Sequence, residues 1–112
     1  MNKKYIVRKN EEIQDIIINN IKIVDNFYII YYKESKNGFN RFCISVSKKI
    51  GKANIRNLLK RRIKDILMKN IINSSYDYVI ILRNGILNLS YEEMKEKLIY
   101  LLKGDKKWKR KL

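Results

Sequence analysis

Eight cations stand between positions 48 and 64: Lys48, Lys49, Lys52, Arg56, Lys60, Arg61, Arg62 and Lys64, with no acid before Asp65. Such a run can hold a polyanion by neutralising its phosphates. At about 100° per helical residue, Arg56, Asn57, Lys60, Arg61 and Lys64 share an arc of about 140°, with Ile55, Leu59, Ile63 and Ile66 opposite. The charge therefore belongs to one face of an ordered element. Ordinary surface helices mix signs, because like charges at i, i+4 cost about 0.2–0.5 kcal/mol per pair. Lys52, Arg56, Lys60 and Lys64 repeat one sign at that spacing, which an external polyanion would compensate. Gly51 leaves room for a phosphate to approach the backbone ahead of the helix, whose first amides are free donors. Asn57 reads equally as a surface residue or as a donor to phosphate, ribose or a base edge.

Bond-breaking chemistry is not visible. A protein nuclease needs an acid–base pair or a carboxylate cluster holding Mg²⁺. There is no histidine. Glu11, Glu12, Glu92 and Glu93 stand where helix starts account for them, and Asp15, Asp25, Asp65 and Asp77 are scattered. Cys43, the one cysteine, excludes an intrachain disulfide and reads as a small strand residue. The chain is expected to have no catalytic residue and to bind no cofactor by itself.

The whole composition agrees with a folded polyanion binder. Net charge is +15, from 26 Lys and Arg against 11 Asp and Glu, and the hydrophobic fraction of 46% excludes a disordered basic tail. A length of 112 residues predicts one polyanion-binding domain over 1–112, with a basic arm at 1–9 and a basic tail at 103–112. Trp108 in that tail reads as a packing residue, and the tail charge as nonspecific assistance. No apolar run approaches the roughly 18 residues of a membrane span, and positions 1–10 lack the apolar core of a signal peptide. A cytoplasmic protein is expected. Binding to a membrane surface is disfavoured because the apolar helix faces are needed for one core.

These residues must be positioned by a small set of elements. Asn10 is expected to cap a helix with Glu11 and Glu12 in its first turn and Ile13, Ile16 and Ile17 on one face. Residues 26–33 and 40–48 read as strands, and Asn37 with Gly38 between them predicts an antiparallel hairpin. The run 21–24 can add to that sheet. Residues 53–72 have the period of an amphipathic helix, and 77–83 form a nearly continuous apolar run, the mark of a buried central strand. Ser90 and Glu93 make a capping box for a last helix, with Tyr91, Met94, Leu98, Leu101 and Leu102 inward and Gly104 closing it. The result is an α+β sandwich: one four-stranded, mostly antiparallel sheet packed with three helices.

The run from Ser45 to Asp65, SVSKKIGKANIRNLLKRRIKD, resembles the signature of the bacterial ribonuclease P protein subunit, approximately S-V-S-K-K-x-G-x-A-x-x-R-N-R-x-K-R-x-x-R-E. Support comes from the basic arm, Lys9-Asn10, the Tyr-rich strand, Asp77-Tyr78-Val79 and Ser90-Tyr91-Glu92-Glu93. The sequence departs from the pattern at several places. Leu58 stands where the family has Arg and is expected to pack inward, with Arg62 partly compensating. Lys64 replaces the final Arg and loses its bidentate fork. Ile13 and Ile17 replace aromatic residues, and Cys43 replaces a Gly.

The resemblance implies a left-handed βαβ crossover, as in the second domain of a small-subunit ribosomal protein. It implies that Lys48, Lys49, Lys52, Arg56, Asn57, Lys60, Arg61 and Lys64 contact the catalytic RNA. A groove lined by Lys9, Asn10, Ile13, Ile17, Tyr31 and Ser45 would hold the 5′ leader of precursor tRNA, with Tyr31 available for stacking. Mg²⁺ would be held mainly by the RNA subunit, and no obligatory protein partner is implied. The alternative is a structural RNA-binding protein of the ribosome, which shares this size, charge and fold class.

Overall fold

A computed structural model describes residues 2–70 and 74–110, with side-chain surroundings through Lys103. The apolar runs become four strands, β1 (Lys22–Val24), β2 (Tyr28–Glu34), β3 (Arg41–Val46) and β4 (Tyr76–Leu82). Three helices accompany them, α1 (Asn10–Ile18), α2 (Ala53–Lys69) and α3 (Tyr91–Arg110). The sheet order is β1-β2-β4-β3. β4 runs antiparallel to β2 and parallel to β3, with Ile80 opposite Ile30 on one side and Ile44 on the other. The parallel pair is joined through α2, as a strand–helix–strand order permits.

The expected hairpin between β2 and β3 does not form, because β4 lies between them. Tyr78, Val79, Ile80 and Leu82 are all buried, and a strand apolar on both faces belongs at the centre of a sheet. The 35–40 loop therefore passes the start of β4 instead of closing a turn. Gly38 supplies the positive φ, 77°. Asn40 fixes the loop, its Oδ1 accepting from Tyr76 N at 2.8 Å and from Ser74 Oγ at 2.9 Å.

Two cores result from the two faces of the sheet. Tyr28, Ile30, Tyr78 and Ile80 pack with Leu59, Ile63 and Ile66 of α2 and Met94, Leu98 and Leu102 of α3. The buried Tyr28 hydroxyl donates to Met94 O at 3.0 Å, joining β2 to α3. On the other face a smaller core of Val7, Ile16 and Val79 seats α1. Val7 N donates to Phe42 O at 2.9 Å, which pins the N-terminal arm to the outer edge of β3.

Helix ends follow the sequence in part. The capping box is present, with Glu93 N donating to Ser90 Oγ and Ser90 N to Glu93 Oε1. Asn10, however, is the first helical residue of α1; the cap is Lys9, which makes no side-chain capping bond. Helix α3 also continues past Gly104 to Arg110. An interior Gly costs only about 1 kcal/mol, and no Pro follows to stop the helix. Helix α2 ends at Lys69, with Asn70 extended, short of the expected position 72; Ile72 itself lies outside the described residues, as do the side chains of Trp108 and of the tail cations after Lys103.

Candidate nucleic-acid interface

α2 is anchored by a stripe of Leu59, Ile63, Ile66 and Leu67. Arg56, Lys60 and Lys64 form a half-buried row along one border of this stripe, while Asn57 and Arg61 are exposed further round. The basic face is therefore continuous from the core border to open solvent. Lys48, Lys49 and Lys52 are exposed on the approach to the helix, where Lys49 N donates to Ser47 Oγ and Ile50 N to Ser47 O in a tight turn. No side chain caps the helix start at Lys52. Arg56 is notable among the described residues, because its Nε is buried and has no hydrogen-bond partner. An N–H in that condition costs free energy.

Two expectations for this helix are corrected. Leu58 does not pack inward: it is 38% exposed, since it lies about 130° from the centre of the buried stripe at 100° per residue. Ile55, assigned to the apolar side, is 37% exposed in the first turn. Gly51 serves Ile55, for a Cβ on Gly51 would come within 3.1 Å of the Ile55 side chain. A side chain at position 51 would therefore press on Ile55.

The second feature lies across the sheet, on the face that carries α1. Strand alternation puts Tyr31, Val79 and Cys43 in one cross-sheet row and Ile29, Ile81 and Ser45 in the next. Ile13 and Ile17 of α1 pack with Tyr31, Cys43 and Ile81 around the buried Val7, Ile16 and Val79. Ser45 is exposed beside them, and Lys9 and Asn10 are exposed at the start of α1. The result is a partly buried apolar cluster with one aromatic side chain, at the position expected for the groove. Lys22 Nζ lies 5.6 Å from the Tyr31 ring centroid, placing a cation on its β1 side. At the β3 edge, burial raises the Cys43 thiol pKa while the charge of Lys60 opposes the rise.

Of the expected groove residues, Ile13, Ile17 and Tyr31 share one cluster, Ser45 adjoins it, and Lys9 and Asn10 stand at its helix end. Lys22, Cys43 and Ile81 complete it without having been assigned to it. Their signal was strand parity, since Cys43 alternates with Phe42 and Ile44 and so shares a face with Ser45. Glu12 and Asp77, read separately as a helix-start acid and an isolated one, are joined by Arg41. Arg41 Nε and Nη2 donate to the two Asp77 oxygens at 2.9 and 2.8 Å, and Nη2 also donates to Glu12 Oε2 at 2.6 Å. The Arg41 hydrogen bond, and then its charge, hold the Glu12 carboxyl below the usual range against the opposing effect of burial.

A four-stranded mixed sheet with three helices, a cationic helix on one face and a short helix over an apolar cluster on the other, defines an α+β sandwich. The Ribonuclease P family is matched over residues 1–105. The chain is 42% identical over 107 residues to the ribonuclease P protein component of Mycoplasma capricolum, covering 92% of this chain and 97% of that protein. It is 40% identical over 107 residues to that of Carboxydothermus hydrogenoformans, covering 92% of each. The fold is similar to that of a Staphylococcus aureus RNase P protein mutant with defective mRNA degradation activity, with a TM-score of 0.86, 27% identity, and 93% and 90% of the two chains covered. The RNase P protein from Thermotoga maritima gives a TM-score of 0.79 at 26% identity, with 87% and 94% covered. The chain belongs to the ribonuclease P protein family, the protein component of an RNA-processing endonuclease. That membership decides against a ribosomal structural protein.

Proposed function

We propose that the chain grips two RNAs at once: the catalytic RNA of ribonuclease P along α2, and the 5′ leader of precursor tRNA in the groove beneath α1. The observation that carries this reading is the like-charged row Arg56, Lys60 and Lys64 along α2, on the sheet face opposite the apolar cluster under α1. Phosphates meeting the row would relieve its repulsion. Unpaired bases would find Tyr31 and the Ile13, Ile17 and Ile81 surfaces on which to stack or pack.

In this division of labour the protein lowers the electrostatic cost of bringing two polyanions together, and the RNA subunit holds the Mg²⁺ ions that activate water. The cationic surface can substitute in part for free Mg²⁺ in screening RNA, so its benefit should be greatest when Mg²⁺ is scarce. The test is reconstitution with a cognate catalytic RNA at low Mg²⁺. Removal of the 5′ leader should be strongly stimulated by the chain; cleavage equal to that of the RNA alone would refute the reading.

A further inference from the structure

Helix α1 has two unlike flanks. At about 100° per residue, Glu12 and Asp15 lie on one side of Ile16, and Ile13 and Ile17 on the other. Ile16 is the one buried residue of the helix, so these flanks face opposite ends of the strands. Arg41 and Asp77 are paired at the strand starts, whereas Ser45 and Ile81 lie four residues further along. The Ile13–Ile17 flank is a wall of the groove. The Glu12 flank faces a separate open hollow of about 310 Å³, where Glu12, Asp15, Glu34 and Asp77 stand with Arg41, Lys33 and Lys36.

α1 is only nine residues long and has no side-chain cap at its start. It packs over β2 and β4, and the Glu12 bond from Arg41 is its polar link to β3. The Arg41 side chain is 15% exposed and Asp77 13%, so the guanidinium is held firmly by β4 before it reaches Glu12. A helix with side chains is about 10–12 Å across, so a roll of roughly 20° would carry the ends of Ile13 and Ile17 about 2 Å. Contacts to a bound base decay over less than that distance.

We propose that the Arg41–Asp77–Glu12 tie positions leader recognition: by fixing the roll of α1 from its rear flank, Arg41 sets the gap between the Ile13–Ile17 wall and the groove floor. Arg41 and Glu12 touch no RNA in this arrangement. The inference rests on the groove being the leader site.

The experiment compares binding of precursor tRNA and of the same tRNA without its leader to the assembled holoenzyme. With Glu12→Ala, the preference for the leader-bearing RNA should fall about fivefold to tenfold, the size of one partly lost stacking contact. Glu12→Gln keeps an acceptor for Arg41 and should fall less, while Arg41→Lys loses the fork and should resemble Glu12→Ala. Affinity for the catalytic RNA should stay within about twofold, since the α2 row is untouched. An unchanged leader preference in Glu12→Ala would overturn the inference, as would equal weakening of both tRNAs, which marks a general defect. If the unaltered holoenzyme shows no leader preference, the groove reading itself fails.

Discussion

Replacing Arg56, Lys60 and Lys64 together by Gln should weaken RNA binding and stabilise the free protein. Three like-charged contacts at i, i+4 are relieved, Lys52–Arg56, Arg56–Lys60 and Lys60–Lys64, each worth about 0.2–0.5 kcal/mol. The free protein should therefore gain roughly 0.6–1.5 kcal/mol at low salt, before any benefit from removing the partnerless Arg56 Nε. That is a rise of several degrees in Tm for a domain of this size. Binding to the catalytic RNA should move the other way. If each side chain meets one phosphate, the slope of log affinity against log salt should shrink by about 2.7 on duplex RNA and by about 2.1 on single strands. Thermal melts and a salt titration of binding would read the two effects separately. A variant that loses stability and affinity together would show the row to be structural. An unchanged slope would show that the phosphates are met elsewhere.

Leu58→Arg restores the residue the family signature has at that position, on a side chain the structure leaves 38% exposed. Stability should change by no more than about 0.5 kcal/mol, while the salt slope for catalytic-RNA binding should steepen by up to about 0.9; a large loss of Tm would show that Leu58 is needed for packing. Tyr91→Phe removes the hydroxyl that donates to Asp65 across α2 and α3. The Tyr91 bond, then the Lys69 bond, lower the Asp65 pKa, and Asp65 pushes the Tyr91 phenol up to about 12. The Asp65 contribution is complete above the unfolded carboxylate pKa of about 4 and fades as pH falls through the lower folded value. The Tyr91 contribution is complete below its unfolded pKa of about 10 and fades as pH rises towards the folded value. Urea midpoints of Tyr91→Phe should accordingly be lower at neutral pH and converge on the wild type in both acid and alkali; a constant gap would rule the linkage out.

Much of this arrangement could be read from residue patterns. The α2 row, the central β4 run and the capping box are local signals, each carried by spacing within one element. The hairpin failed because pairing is a competition among strands. Asn37 and Gly38 permit a turn, yet β4, apolar on both faces, displaces β3 from β2. Leu58 and Ile55 failed for a related reason, because an apolar residue on a wheel is buried only where a neighbour exists to cover it. Gly51, read as room for a phosphate, also lies against the Ile55 side chain, a contact no sequence period reveals. The groove was the least visible feature. It joins α1, β2, β3 and β4, and no sequence period connects Ile13 with Ile81 or Glu12 with Asp77.

The most direct test of two RNA surfaces on one chain uses single photoreactive thiols in a Cys43→Ser background. A crosslinker on Ser45→Cys, at the exposed edge of the groove, should label the 5′ leader of bound precursor tRNA. The same group on Asn57→Cys, exposed on α2, should label the catalytic RNA. Labelling of the same RNA from both positions, or of neither, would contradict the account.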